Sequence, residues 1–236
     1  MLDDLTNLQS LLKDPTLVAT KGYLAGEWCE GDNAQTFPVY NPARGDIIAD
    51  VSDISRAQTA EAISIAEKAQ KIWADRPAKE RSNIMRIWYN LMMENQEDLA
   101  TILTAEQGKP LEEAKGEIGY GASFIEFFAE EAKRIYGETI PGHQADKRIT
   151  VLKQPIGVAA SITPWNFPNA MITRKAGPAL AAGCAFVARP AAETPLSALA
   201  MGVLADRAGL PKGILSICLL YTSDAADEED SVDLGG

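Results

Sequence analysis

The sequence predicts an α/β fold in which a helical region precedes a parallel sheet. Between Gly157 and Ile217 the pattern alternates strand, helix, strand, helix, strand, with helices of about 15 residues, which favours a parallel sheet with right-handed crossovers. Between Ser55 and Ile135 the apolar residues instead recur with helical periodicity. The composition agrees with a globular protein, because 46% of the residues are hydrophobic and 23% are charged.

The N-terminal region predicts one short helix followed by three strands. The helix covers residues 4–13 and is amphipathic. Strand-like segments follow at Tyr23–Glu27, Phe37–Tyr40 and Ile47–Val51, and turn-forming Gly, Asp, Asn and Pro residues separate them.

Four helices are predicted next, each with one apolar face that we expect to be buried. The predicted buried residues are Ile63, Ala66, Ala69 and Trp73 in the first; Ile84, Ile87, Trp88 and Leu91 in the second; Leu99, Ile102 and Leu103 in the third; and Ala114, Ile118, Ile125, Phe128, Ala132 and Ile135 in the longest, which runs from Leu111 to Ile135. The glycines at 116, 119 and 121 have the wrong order for a dinucleotide-binding fingerprint, and we interpret them as a site of close helix packing.

The remaining elements alternate after the break at Pro141-Gly142. Strands are expected at Arg148–Gln154, Gly157–Ile162, Cys184–Ala188 and Ile214–Ile217, and helices at Pro168–Ala182 and Thr194–Ala208.

Charge and composition exclude several classes of protein. The net charge is -11, and six of the carboxylates lie in residues 219–236, so the remainder is mildly acidic and broad nucleic-acid binding is not expected. No apolar run reaches the roughly 18 residues of a membrane span, and the N-terminus lacks a signal peptide, so a cytoplasmic protein is expected. The three cysteines are widely spaced, which argues against a disulfide framework or a metal site. The only histidine, His143, is expected in a solvated loop.

Chemistry is expected where parallel strands end, because ligands of such sheets bind beyond the carboxyl ends of the strands. Those ends are Ile162–Asn166 and Ala188–Ala192. Asn166, between two prolines, could present its amide as an oxyanion-hole donor, although spacing alone favours a plain N-cap.

The helix after the first strand end has Phe167, Met171 and Arg174 on one face. This face could line a tunnel with a cation at its mouth, or it could be ordinary packing with a solvated arginine. Lys175 is expected to point elsewhere. Arg189 could meet a phosphate or ribose, or it could be a surface arginine. By spacing alone the chain is an α/β ligand-binding domain of undefined chemistry.

Two adjoining segments resemble the aldehyde dehydrogenase superfamily. They are Ile162–Pro168, with the sequence ITPWNFP, and Ile172–Cys184, with the sequence ITRKAGPALAAGC. The Ile-Thr-Arg-Lys version looks like the succinate-semialdehyde dehydrogenase branch. Supporting pieces are Glu106–Pro110 and Gly137–Pro141, and the resemblance covers residues 10–217. It implies the N-terminal part of an aldehyde dehydrogenase fold, with helices before an incomplete Rossmann-like parallel sheet and with an oligomerisation β-hairpin.

The resemblance also implies a role for each matching residue. Asn166 would form the oxyanion hole, and Lys175 would lie near the catalytic centre. Arg174 would hold the distal carboxylate of the substrate, and Phe167 and Met171 would line its tunnel. The cofactor-binding positions would be Ile162, Thr163, Pro164, Trp165 and Asn166 on the first loop, and Arg189, Ala191 and Ala192 on the second. NADP is favoured over NAD, because Ala192 has no carboxylate to repel a 2'-phosphate and Glu193 is expected to point away from the crevice.

The domain organisation follows from the same resemblance. Residues 1–137 would belong to the cofactor-binding domain, 138–154 to the hairpin and 155–217 to the first half of the Rossmann-like sheet. Residues 218–236 resemble none of the family and are expected to be a non-native acidic tail, with a genuine acidic tail as the alternative. The full-length parent would be a homodimer or homotetramer.

The implied reaction is the oxidation of a small semialdehyde through a Cys thioester, with NADP or NAD as the cofactor. The chain lacks the nucleophilic Cys and the general-base Glu, and Cys184 opens a buried strand, so the chain itself is expected to be inactive. The alternatives are a dehydrogenase for glutarate semialdehyde or another aldehyde, and a non-catalytic cofactor-binding fragment.

Overall fold

The computed structural model describes residues 4–221, with side chains from residue 7 onward. Within this range the helices are α1 (Asp4–Ser10), α2 (Arg56–Asp75), α3 (Ala78–Glu94), α4 (Gln96–Gln107), α5 (Leu111–Glu131), α6 (Ala170–Ala182) and α7 (Pro195–Arg207). The strands are β1 (Gly22–Leu24), β2 (Glu27–Cys29), β3 (Thr36–Tyr40), β4 (Ile47–Ser52), β5 (Glu138–Pro141), β6 (Arg148–Val151), β7 (Val158–Ile162), β8 (Ala185–Arg189) and β9 (Leu215–Ile217). Short 3-10 helices occupy Pro15–Leu17 and Ala132–Arg134.

The main sheet has five strands in the order β2-β1-β9-β8-β7. The strands β7, β8 and β9 are parallel and are connected by α6 and α7, which confirms the predicted parallel sheet. The first hairpin of the chain adds β1 and β2 antiparallel to the open edge beside β9. The described sheet is therefore mixed, with its parallel part formed by the second half of the chain.

The prediction of one strand over Tyr23–Glu27 was wrong. The chain turns at Ala25 and Gly26, whose φ angles are 53° and 87°, and Leu24 pairs with Glu27 across this turn. Positive φ at both central residues gives the two-residue hairpin turn whose twist suits flanking strands. An alanine in this conformation is uncommon, so the sequence signals the turn only through Gly26.

The predicted apolar stripes are confirmed for most of their length, and they pack around Trp73, Trp88, Ile102, Ile118 and Ile125. Three residues were assigned wrongly, because Ile63, Ile87 and Ile135 are exposed. In α2 the buried face is formed by Ala62, Ala66, Gln70 and Trp73. The small side chain of Ala62 faces the core and the larger Ile63 lies on the surface, a choice that periodicity alone does not make.

Helices α5 and α6 approach each other closely at Gly121 of α5. A Cβ on Gly121 would lie 2.1 Å from Asn169 Oδ1 and 3.3 Å from the Cα of Ala170, so only glycine fits without a shift. A Cβ on Gly116 would meet open space, and one on Gly119 would meet its nearest neighbour at 3.5 Å. Close helix packing is thus confirmed at Gly121 and not at the other two glycines. This contact places the start of α6 against α5.

The β5–β6 hairpin extends from the body with both strands exposed. Its apolar side chains include Ile140, Ile149 and Val151, each about two-fifths exposed. The predicted strand over Arg148–Gln154 ends at Val151, because no further partner residues pair beyond Glu138. Among the described helices, none is both long and apolar enough to cross a membrane.

Candidate functional site

Two loops leave the same edge of the parallel sheet. Strands β7 and β8 pair in parallel with Ile162 opposite Arg189, and the Thr163 N–H donates to the Arg189 carbonyl at 3.1 Å. Residues 163–169 form the first loop, and residues 190–194 form the second. The sequence-predicted residues of both strand ends therefore lie side by side.

The first loop exposes three consecutive side chains, whereas its polar residues Thr163 and Asn169 are buried. Trp165 is 54% exposed and Phe167 is 39% exposed, and Asn166 is also exposed. Helix α6 begins at Ala170 with Asn169 as its N-cap, three residues after Asn166. Asn166 is therefore not the N-cap that its spacing favoured. Within the described residues its side-chain amide makes no hydrogen bond, so the amide is available to a ligand.

A buried ion pair, which was not predicted from the sequence, holds this loop in place. Glu117 Oε1 accepts hydrogen bonds from the backbone N–H groups of Asn169 at 3.0 Å and Ala170 at 3.3 Å. Its other oxygen lies 2.6 Å from Lys109 Nζ. The same ammonium donates to the Asn166 carbonyl at 3.1 Å and lies 3.9 Å from the centroid of the Phe167 ring. One signal in the sequence could have indicated it: Glu117 follows Ala114 by three residues on the buried face of α5.

A second buried carboxylate holds the helix that follows the second loop. Glu106 accepts from the backbone N–H groups of Leu196 at 2.7 Å and Ser197 at 2.8 Å, one at each oxygen. Burial raises the pKa of Glu106 to about 8, and the hydrogen bonds from Ser197 and Leu196 oppose this rise. The starts of α6 and α7, which follow the two loops, are thus anchored by glutamates of α5 and α4 whose oxygens accept backbone N–H groups.

Of the three residues that the sequence grouped on one helical face, Met171 and Arg174 lie on α6, whereas Phe167 precedes the helix in the first loop. Met171 is half-buried and Arg174 is exposed, and the guanidinium of Arg174 lies 5.6 Å from the ring centroid of Phe124 on α5. Phe124 was not predicted, because its contact joins two helices that are distant in sequence. Lys175 Nζ donates to the Met171 carbonyl at 3.0 Å, and burial, followed by the charge of Arg174, lowers the pKa of Lys175.

The second loop borders a cleft of about 910 Å³. Ala192 and Glu193 both line it, with Phe37, Tyr40 and Tyr221 opposite. The expectation that Glu193 points away from the cofactor crevice stays a prediction, because no residue of the first loop lines this cleft. Beside the cleft, Arg189 Nε donates to the Leu220 carbonyl at 2.9 Å. Ala191, also on this loop, is half-buried.

The described cysteines lack the setting of a nucleophile. Cys184 and Cys218 are buried, and burial raises the pKa of Cys218 to about 12. Cys29 is half-buried, and burial, followed by the charge of Asp32, raises its pKa as well. Cys218 and Leu219, the first residues of the predicted acidic tail, pack in the core, whereas the six carboxylates of that tail lie outside the described residues. No group of His, Cys, Asp and Glu suited to a metal ion occurs in the described part of the chain.

Comparison with known proteins identifies relatives of this chain. Residues 28–228 match the profile of the aldehyde dehydrogenase family. The chain is 62% identical over 206 residues to a glutarate-semialdehyde dehydrogenase of Pseudomonas aeruginosa, which covers 87% of this chain and 43% of that protein. It is 58% identical over the same length to an NADP(+) succinate-semialdehyde dehydrogenase of Escherichia coli, again covering 87% of this chain and 43% of the relative.

A solved structure extends the similarity to three dimensions. An NADP-dependent enzyme of E. coli superimposes with a TM-score of 0.89 at 56% identity, over 92% of this chain and 45% of that one. The chain thus spans less than half the length of the curated relatives that it matches.

Proposed function

Because the chain belongs to the aldehyde dehydrogenase family, we propose that it forms part of an enzyme that oxidises a carboxylate-bearing semialdehyde with a nicotinamide cofactor. The observation on which this proposal rests is the pair of adjoining strand-end loops, of which one has the exposed Asn166 amide and the other the half-buried Ala192. The similarity to succinate- and glutarate-semialdehyde dehydrogenases supports it.

Asn166 is the proposed donor to the aldehyde oxygen. When a nucleophile attacks an aldehyde, negative charge develops on that oxygen, and a fixed amide N–H stabilises it without carrying charge itself. The described cysteines are unsuited to the attack, so we place the nucleophilic Cys and the general-base Glu in the remainder of the longer enzyme. The 236-residue chain alone is therefore proposed to be inactive.

Arg174 is the proposed partner of the distal carboxylate. Its guanidinium can bind both carboxylate oxygens, and the nearby Phe124 ring restricts its orientation. Phe167 and Met171 supply the apolar wall between Arg174 and Asn166. Succinate and glutarate semialdehydes both present a terminal carboxylate, so both fit this arrangement.

The second loop fits NADP better than NAD. The methyl group of Ala192 leaves room beside the cleft, and Arg189 lies at the same strand end. Ile162 and Trp165 expose apolar surface at the first loop, where a nicotinamide ring could stack. The cofactor, when bound, would accept the hydride of the aldehyde. Glu193, which lines the cleft, weakens the preference, so we propose NADP or dual use.

The β5–β6 hairpin is the proposed assembly element. Its exposed apolar side chains would be buried against a second subunit in a homodimer or homotetramer. We also propose that the enzyme acts in the cytoplasm, where these soluble metabolites would occur.

The test is an assay of the complete protein with succinate semialdehyde, glutarate semialdehyde and propanal, following NADP and NAD reduction. Wild type should oxidise the two semialdehydes most efficiently. Asn166→Ala should lower kcat about 10²–10³-fold. The matched control is Asn33→Ala, an exposed amide outside both loops. A wild-type protein that reduces no cofactor with any aldehyde would contradict the proposal.

A further inference from the structure

We propose that Lys109 and Glu117 are positioning residues that fix the Asn166 loop in its reactive geometry. This inference rests on the proposed function, because it assigns to the buried pair a role in aldehyde oxidation. Neither residue is proposed to touch the substrate. Both would act through the loop that they hold.

The ammonium of Lys109 has three N–H donors, and it makes three contacts in the structure. It meets Glu117 Oε2 at 2.6 Å and the carbonyl of Asn166 at 3.1 Å, and it faces the Phe167 ring at 3.9 Å. Two of these three contacts belong to the loop. The lysine thus binds the backbone of the residue whose side chain is the proposed oxyanion donor.

Glu117 holds the other end of the same loop. Its side chain is 1% exposed, and its Oε1 accepts the backbone N–H groups of Asn169 and Ala170. The loop is therefore fastened at Asn166 and Phe167 by the cation and at Asn169 and Ala170 by the anion. Because the two charges are themselves paired, the two attachments form one unit.

The burial of this pair argues for a role beyond stability. The Lys109 side chain is only 11% exposed, so both charges have lost most of their hydration. A buried ion pair is often no more stabilising than apolar residues of the same volume. What an apolar pair cannot supply is a donor to the Asn166 carbonyl together with an acceptor for the N–H groups of α6. Catalytic groups need placement to within about 0.5 Å, which such directional contacts provide.

The experiment compares three variants of the complete protein with one control. Lys109→Met removes the ammonium and keeps the apolar stem. Glu117→Gln removes the charge, and the double variant Lys109→Met/Glu117→Gln avoids leaving one charge buried alone if the first variant folds poorly. The control is Lys115→Met on the same helix as Glu117, because Lys115 forms ion pairs with Glu97 and Glu112 that do not reach the loop.

Two measurements separate positioning from folding. The first determines how each variant changes kcat and, separately, the dissociation constant for NADPH, which is measured by energy transfer from tryptophan. The second is the ¹⁹F spectrum of protein labelled with fluorotryptophan, in which the Trp165 signal is assigned by its loss in Trp165→Phe. We expect kcat to fall about 10-fold or more in the double variant, with the NADPH constant within about threefold. The Trp165 signal should shift or broaden in this variant and stay unchanged in Lys115→Met.

The inference is overturned if the double variant keeps kcat within about threefold of wild type, or if its Trp165 signal matches that of the control. A wild-type protein that oxidises no aldehyde would instead contradict the proposed function. In that case the Trp165 signal still decides whether Lys109 and Glu117 fix the loop.

Discussion

The surroundings of Glu106 predict how the stability of the folded chain depends on pH. The carboxyl is buried between α4 and α7 and accepts two backbone N–H groups, from Leu196 and Ser197. Burial raises its pKa from 4.5 to about 8 in the folded chain, whereas in the unfolded chain it is expected near the ordinary value. Between about pH 4.5 and pH 8 the folded state therefore keeps a proton that the unfolded state has released.

The sign of the effect follows from this difference in bound protons. The contribution to stability is fully present below pH 4.5 and is lost as the pH rises through about 8. The slope has a ceiling of about 1.4 kcal/mol per pH unit, so the free energy of unfolding should fall by roughly 2–3 kcal/mol between pH 5.5 and 7.5 from this residue alone. That loss is a sizeable part of the roughly 5–15 kcal/mol typical of a domain.

The assay is urea unfolding of the chain at several pH values, followed by the fluorescence of the buried Trp73 and Trp88. Glu106→Gln has no titratable group at this position, so its curve against pH should be flatter than that of wild type by the stated amount. The exposed Glu113→Gln serves as the control and should keep the wild-type slope. Parallel curves for wild type and Glu106→Gln would refute the reasoning and show that the two N–H groups outweigh burial.

Three further predictions concern the loops and their support. Arg174→Ala should lower kcat/KM for succinate semialdehyde about 10- to 100-fold, roughly 1.5–3 kcal/mol, and should affect propanal much less; equal losses in steady-state assays would give Arg174 a purely structural role. Ala192→Glu should shift the ratio of kcat/KM for NADP and NAD toward NAD by about tenfold, and a wild type that already strongly prefers NAD would assign the ribose to Glu193 instead. Gly121→Ala should destabilise the chain by about 1–3 kcal/mol, because the new Cβ would meet Asn169. Gly116→Ala should stabilise the chain by up to about 1 kcal/mol, because its Cβ would meet open space. Thermal unfolding of both variants tests this contrast.

The regular elements could be predicted from the sequence because their signals are local. The alternation after Gly157 and the helical period after Ser55 depend on neighbours within a few residues, and both agree with the structure. Periodicity failed where tertiary packing selects between adjacent residues, as at Ile63. It also failed at Ala25, where the turn requires a positive φ angle that alanine rarely adopts.

The site could be predicted only in part, for a related reason. The loop around Asn166 could be located because it adjoins a strand end, and its role in a site stays a prediction. Lys109 was missed because its contact with Asn166 spans 57 residues of sequence. Arg189 was placed at the correct strand end, but its bond to the Leu220 carbonyl depends on the path of the chain after β9. Such partners become visible only when the folded chain brings them together.

The anchoring of α6 and α7 by glutamates from α5 and α4 affects how this protein could be recombined. Four backbone N–H groups of the second half, at residues 169, 170, 196 and 197, are bonded to side chains of the first half. A chimera that exchanged residues 155–217 with a relative would separate these groups from their acceptors unless the donor protein had carboxylates at the same positions. The two halves are therefore expected to be inherited and transplanted together, and Glu106 and Glu117 mark the positions that a crossover has to preserve.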